Sequence, residues 1–367
     1  MNIINIKDNS NKLFYIGGVV RDKLLGIESL DIDITFEGNA IEYCPKFGEV
    51  IQENPDFGTV RVNVGGCEVD FASTRAESYP NKGHLPVVTK IGCSLKEDVL
   101  RRDFSVNALA MSVNTGEVID YTGGLEDLKN KKLRVLYDES FIDDPTRIIR
   151  GLKFSVRFGF ELDEHTRKLQ EDYLANINYD MSYKRVKKEL METFNLNSQK
   201  AFEKFIKEKI YKLVTPNDVE LPKVNIEEFI SYAAKITKSS FEHCWLIYVG
   251  VLGDLSHIPM TKVEQKILAD VPKNILKSDF ELYKYFENSS LESVLLYGIL
   301  RDKNGAMRYL NKLKKIKLEI NGNDLQKLGI KPSPKYAEIF DEVLKLKLSN
   351  PFMTKEDEIK SVENLKK

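Results

Sequence analysis

Cysteine is scarce in this chain: four in 367 residues, at Cys44, Cys67, Cys93 and Cys244, with no C-x-x-C pair among them. That excludes the dense disulfide framework of small secreted domains and fits reduced, packed thiols in a cytoplasmic protein. Long apolar runs are missing too. The most apolar stretch, around 245–252, falls well short of the ~20 residues that cross a bilayer. The first eight residues lack the apolar segment of a secretory leader. Net charge is −1, so overall charge gives no reason to expect a polyanionic partner. Internal repeats and low-complexity segments are absent.

What is present is the composition of a globular protein, 42% apolar and 30% charged, in a chain long enough for two or more domains. The first 120 or so residues read as mixed α and β. Short β-branched and aromatic runs occur at 13–16, 31–36, 59–64, 68–72 and 118–121, separated by turn signals such as Gly38-Asn39 and Gly65-Gly66, the latter a hairpin. From Pro145 the period becomes helical, with Ile148, Ile149, Leu152, Val156 and Phe160 on one stripe. Pro145 suits the first turn of that helix, with Asp144 near its start. The remainder is predicted to be helical, punctuated by Pro216, Pro222, Pro259, Pro272 and Pro332. Between residues 301 and 348 twelve Lys/Arg stand against six Asp/Glu. That excess is either a footprint for a polyanion or a solvated helix face.

Three constellations carry chemistry. Asp31-Ile32-Asp33 places two carboxylates on one face of a predicted strand, following a Gly17-Gly18 turn that lets backbone amides approach an anion. Glu68-Val69-Asp70 offers a third carboxylate, most simply Asp70, and such hard oxygen ligands suit Mg²⁺. Arg101-Arg102-Asp103, with Asn107 four residues on, can hold a triphosphate and sugar, or form a surface cluster. Asp144 and Arg147 stand three apart at a helix start and share a face. Together they present one acceptor and one donor fork, which would accept cytosine and adenine and leave uracil and guanine mispaired. The plainer alternative is an acid on the helix dipole with an i, i+3 ion pair.

Taken in order, these elements resemble the class II tRNA nucleotidyltransferase and bacterial poly(A) polymerase family. The matching motifs are Gly17-Gly18-x-x-Arg21-Asp22 with Asp31-x-Asp33, Arg101-Arg102-Asp103-Phe104-x-x-Asn107-Ala108, Gly123-Gly124-Leu125-Glu126-Asp127-Leu128, Asp143-Asp144-x-x-Arg147 and Met181-Ser182-Tyr183-x-Arg185-x-x-x-Glu189-Leu190. They cover residues 13–195, and a weaker likeness continues through 320–334. The resemblance implies an α+β fold: a polymerase-β-like nucleotidyltransferase head with a mixed sheet (1–123), then an elongated all-α neck with the base template (124–195), body (196–300) and tRNA-binding tail (301–367).

It further implies template-free addition of C and A to the 3′ end of tRNA from CTP and ATP. By position, Asp31 and Asp33 would bind two Mg²⁺, with Asp70 the third catalytic carboxylate. Gly17, Gly18 and Arg21 would contact phosphates; Arg101, Asp103 and Asn107 would line the triphosphate and ribose site. Asp144 and Arg147 would read the base with Arg150 on the nucleotide, Gly123-Gly124 would be a hinge, and Arg185 with Glu189 a neck support.

The chain departs from the family in Asp143, where a Glu is usual, and in Ser333, where a Gly is common. No His is followed by Asp, so the HD phosphohydrolase domain of some relatives is not expected. The loop at 75–91 is not shortened as in CC-only members, which favours an enzyme that adds A. The alternatives are A-only or CC-only addition, poly(A) synthesis, and, from other classes, a non-catalytic RNA-binding protein or a small-molecule nucleotidyltransferase.

Overall fold

The computed structural model describes residues 6, 8–29 and 31–365, so most of the segment in which no leader was found lies outside it. Two compact units emerge: Met1–Leu190 with Lys204–Asn217, and Met191–Glu203 with Asp218–Lys367. The fold class is α+β, a mixed sheet at the N-terminus followed by helices. Among the described residues no helix is long and apolar enough to cross a membrane.

In the first unit the strands are β1 (Leu13–Ile16), β2 (Asp33–Phe36), β3 (Glu49–Asn54), β4 (Thr59–Val64), β5 (Cys67–Ser73), β6 (Arg75–Ser78), β7 (Val87–Ile91), β8 (Ala110–Ser112), β9 (Val118–Ile119) and a short parallel pair, β10 (Lys132–Leu133) with β11 (Glu161–Leu162). Seven of them form a sheet in the order β3-β4-β5-β2-β1-β8-β9, while β6 and β7 pair separately. All pairs in the large sheet are antiparallel except β2 with β5. β1 lies between two partners and is buried along its whole length, which explains its unbroken apolar sequence.

The expected hairpin is present. Gly65 and Gly66 take φ of 59° and 90° between β4 and β5, the left-handed pair that a two-residue turn requires. Its register pairs Asn63 with Glu68 and Arg61 with Asp70. One expectation is corrected: the second strand begins at Asp33, and Asp31 lies ahead of it, exposed, with its carbonyl accepting from Ser29 Oγ at 3.0 Å. Strand alternation therefore does not place Asp31 beside Asp33.

The helices of this unit are α1 (Gly18–Leu24), α2 (Ala40–Tyr43), α3 (Leu95–Leu100), α4 (Gly124–Lys129), α5 (Ser140–Asp143), α6 (Thr146–Phe158), α7 (Glu164–Ala175) and the start of α8 (Tyr183–Phe194). α6 is the helix anticipated after Pro145. Pro145 has φ −60° at its cap, Ile148, Ile149 and Leu152 are buried, and Gly159 ends it at φ 69°. Gly123-Gly124 opens α4 in a crowded joint. A Cβ on Gly124 would sit 2.2 Å from the Ser105 carbonyl oxygen. The Asp120 carboxylate accepts the N–H groups of Thr122, Gly123, Gly124 and Leu125 at 2.9–3.0 Å, which outweighs burial and lowers its pKa. Close approach accounts for the glycine here.

The second unit is helical. Trp245, Tyr248, Phe286 and Tyr297 are completely buried, and Leu291–Leu300 buries six consecutive residues from Ser293 to Gly298. A smaller cluster of Ile320, Leu325, Val343 and Val362 organises the C-terminal helices. Here the buried Glu358 accepts the N–H groups of Glu319 and Ile320 and pairs with Lys347. Around Gly329 (φ 76°), the amides of Gly329 and Ile330 close the preceding helix onto the Gln326 and Leu325 carbonyls, so they are not open to a phosphate.

Candidate active site

Antiparallel pairing of β1 with β2 and parallel pairing of β2 with β5 bring Ile16-Gly17, Asp33 and Asp70 to one edge of the sheet. Asp33 and Asp70 are direct partners across the strands. Burial raises the Asp33 pKa, Arg102 opposes that rise, and the charges of Asp70 and Asp31 add to it. The three expected carboxylates thus share one electrostatic neighbourhood. They do not form a ready-made cage: among the described residues no three His, Cys, Asp or Glu side chains are grouped to hold a metal. Asp70 is turned onto Arg61, which grips it with Nε and Nη2 at 2.7 and 2.9 Å. The hairpin register makes this pair, so the Gly65-Gly66 turn was the signal that could have found Arg61.

Gly17 lies against Arg102. Its N–H is taken by the Leu109 carbonyl at 3.0 Å, and it sits at φ 71° with Arg102 Nη1 3.1 Å from where a Cβ would lie. Bare backbone lets the arginine approach. Arg21 is likewise turned inward. Its guanidinium holds Asp22 at 2.7 and 2.8 Å, donates to Asn107 Oδ1, and lies 4.4 Å from the Phe158 ring centre. Burial lowers its pKa. Sealed between an acid and aromatic rings, Arg21 orients Asn107 and lines neither of the two cavities below.

From Asn107 the network continues to Asp103, which accepts the Asn107 amide at 3.0 Å on one oxygen and Arg150 Nε and Nη2 at 2.8 and 2.7 Å on the other. Burial alone would raise the Asp103 carboxyl. Arg150, with Asn107 and Arg147, brings it down to about 2. Arg101 is held by Asp98 at 2.7 Å and Glu77 at 3.0 Å, an acid pair that reading the Arg-Arg-Asp triplet missed. The Asp98-x-x-Arg101-Arg102 spacing, i to i+3 and i+4 along a helix, was the available signal. Among the described residues Arg102 has an ion pair with Asp98 at 3.2 Å and no partner for its buried Nε.

Two cavities meet at these arginines. The outer one, about 480 Å³, is lined by Asp33, Asp70, Arg61, Arg75, Arg101 and Arg102 among others. The inner one, about 350 Å³, shares Arg75, Arg101 and Arg102 and adds Asp103, Asp144, Arg147, Arg150, Arg185 and Tyr79. Asp144 and Arg147 are both almost completely buried. Asp144 Oδ1 accepts from the Thr146 N–H and hydroxyl at 3.2 and 2.6 Å, and Oδ2 accepts from Arg185. Arg147 Nη1 donates to Tyr137 Oη at 3.0 Å and Ser140 Oγ at 2.6 Å; Nη2 donates to the Arg101 carbonyl at 3.0 Å and Tyr79 Oη at 3.3 Å. Asp143 pairs with Lys82 on the 79–86 loop, and its carbonyl accepts the Gly83 N–H. None of Tyr79, Tyr137, Ser140 or Lys82 carries a local sequence signal.

Comparison with known proteins finds likeness along most of the chain. Residues 13–134 match the "Poly A polymerase head domain" family. The chain is 30% identical to the A-adding tRNA nucleotidyltransferase of Geobacter sulfurreducens, over 95% of this chain and 44% of that protein. It is 33% identical to the A-adding enzyme of Aquifex aeolicus, over 87% and 43%. The chain thus spans less than half the length of these two relatives. A solved CCA-adding enzyme in an apo form superposes with a TM-score of 0.82 at 26% identity, covering 96% of this chain and 92% of that one.

Proposed function

We propose, since this chain belongs to the class II tRNA nucleotidyltransferase and bacterial poly(A) polymerase family, that it adds C and A to the 3′ end of tRNA from CTP and ATP, selecting the base with protein side chains. The observation that carries this reading is the hydrogen-bonding capacity left over in the inner cavity. A carboxylate has about four acceptor positions. Three on Asp144 are used, leaving one on Oδ2. Among the described residues four of the five donors on Arg147 are used, leaving Nε, 4.0 Å from that same oxygen. One free acceptor beside one free donor matches an exocyclic amine beside a ring nitrogen, the pattern of cytosine and adenine. Uracil and guanine present the reverse and would leave buried groups unpaired, at about 1–3 kcal/mol each.

The roles of the other residues follow from the donors they have to spare. Arg102, with an unpartnered Nε and a place in both cavities, and Arg101 beside it would hold the triphosphate. Arg150, fixed by Asp103, would face the nucleotide, while Asn107 and Arg21 keep Asp103 in place. Gly17 and Gly18 would let the phosphates and Arg102 come close to the backbone. Asp31 and Asp33 would hold Mg²⁺. The donor set is all hard oxygen, and the proton affinity of Asp33, raised first by burial and further by the charges of Asp70 and Asp31, is what a divalent cation would offset. When bound, such ions lower the pKa of the attacking 3′-hydroxyl and neutralise the departing pyrophosphate. Asp70 would join them only on leaving Arg61. A four-part division at 123, 195 and 300, a tRNA-binding tail and a cytoplasmic setting belong to the same proposal.

Addition of A alone is the second reading, favoured by the names of the Geobacter and Aquifex relatives. Offering the purified protein tRNAs ending before the first C, after CC and after CCA, together with an unstructured RNA, and sequencing the products distinguishes these activities. Extension of the first substrate by CCA supports the main reading. Extension of the CC-ended substrate alone supports the second, and tailing of the unstructured RNA overturns both.

A further inference from the structure

We propose that Tyr79 is a specificity-determining residue, its hydroxyl capping a second donor of Arg147 and so tilting the base site toward adenine over cytosine. The inference rests on the reading of Asp144 and Arg147 as the base template and deepens it. An arginine side presents Nε–H and one Nη2 proton as parallel donors. Among the described residues Nε has no hydrogen bond and stands 4.0 Å from Asp144, whereas Nη2 is engaged by the Arg101 carbonyl at 3.0 Å and Tyr79 Oη at 3.3 Å. The Tyr79 contact is the longest of the four, and its ring centre lies 5.9 Å from the guanidinium carbon. Tyr79 also lines the inner cavity beside Asp144 and Arg147.

The two bases differ in what they ask of this edge. Adenine places a C–H next to its ring-nitrogen acceptor and needs one donor. Cytosine places a carbonyl next to its acceptor and gains from two. With Tyr79 in place Arg147 offers one free donor, which satisfies adenine fully and cytosine in part. Cytosine recovers its second hydrogen bond only by displacing the tyrosine hydroxyl, which leads from the 79–86 loop between β6 and β7. Tyr137 and Ser140 act on the opposite nitrogen and do not enter this competition.

Replacing Tyr79 with Phe removes the hydroxyl and keeps the ring. Steady-state incorporation on tRNA ending before the first C and on tRNA ending in CC, with CTP and ATP separately, gives the ratio of kcat/KM for the two nucleotides. The expected result is a rise of about tenfold in the CTP-to-ATP ratio, the scale of one hydrogen bond to a charged group. The change should lie in the KM for CTP. An unchanged ratio, or a selective loss of CTP, overturns the inference, the latter because it would make the hydroxyl a donor to cytosine. Tyr79→Ala run in parallel separates packing from hydroxyl chemistry: an equal fall for both nucleotides that Phe restores is packing alone and counts against the proposal. Arg147→Lys, which lacks the fork, tests the underlying template. If that variant keeps the parent's base choice, the template reading itself fails.

Discussion

The two units handle charge in opposite ways. In the first, Arg21, Asp22, Asp98, Asp103, Asp144 and Arg147 are all buried, linked into networks around two cavities. In the second, the largest buried side chains are Trp245, Tyr248, Phe286 and Tyr297, and its buried charges are fewer, chiefly Glu264, Asp324, Lys347 and Glu358. Buried charge is costly and persists only where it is paired. A region that carries so much of it is shaped by chemistry, whereas one that buries aromatic rings is shaped by packing. The contrast makes specific demands that substitutions can break.

The largest effect is expected at Asp33. Asp33→Ala should cut nucleotide incorporation by about a thousandfold, ~4 kcal/mol of transition-state stabilisation, while leaving tRNA retention on a filter unchanged. A variant that turns over normally would remove Asp33 from the reaction. Asp103→Ala comes next, because it leaves Arg150 with only the longer Glu189 contact at 3.7 Å. Chemical unfolding should show a loss of about 3–5 kcal/mol, and a loss below 1 kcal/mol would mean that the pair is dispensable. The same carboxyl predicts an acid limb. Its folded pKa lies near 2 against 3.8 unpaired, so its stabilisation is complete above about pH 4 and disappears as the pH falls toward 2. Asp103→Asn should flatten that part of the stability curve.

Glu358 tests the other side of the comparison. Glu358→Ala removes the partner of Lys347 and the acceptor for two N–H groups, and should cost about 2–3 kcal/mol in unfolding. The KM for CTP and ATP should stay within about twofold; a larger change would tie this helical cluster to the nucleotide site. Smallest per residue is the contribution of the lysine-rich 301–348 stretch. Raising salt from about 50 to 200 mM should weaken tRNA binding steeply, and single Lys→Gln changes there should each lower the log–log slope by about 0.7–0.9. A flat response would make that stretch a solvated face.

The same contrast explains what could be read from the sequence. β1 and β4 stand at the residues expected, because buried β-branched runs between turn residues are a local signal. β3 was missed since all six of its residues are exposed at the sheet edge and show no alternation. β6 reads Arg-Ala-Glu-Ser, which has no strand character of its own and is held by pairing with β7. Asp144 and Arg147 were legible from their three-residue spacing at a helix start, although Asp144 lies ahead of α6 with φ −142° and only Arg147 is on the helix. Their partners Tyr79, Tyr137 and Ser140 were not, since they arrive from other elements, and Arg185 was expected as a neck support without its bond to Asp144. Arg21 shows the limit of position alone: a motif places the residue, but only the packed rings of Phe154 and Phe158 reveal that it faces inward.

The joint at Gly124 bears on how such a chain can diverge. Its backbone presses on the Ser105 carbonyl, the Ser105 hydroxyl donates to Asp127 at 2.6 Å, and Asp120 ties the same turn through its amides. Single-site mutational scanning should find Ser105, Asp120, Gly124 and Asp127 each intolerant. Libraries varying all four at once should recover functional combinations, so drift here proceeds by correlated replacement.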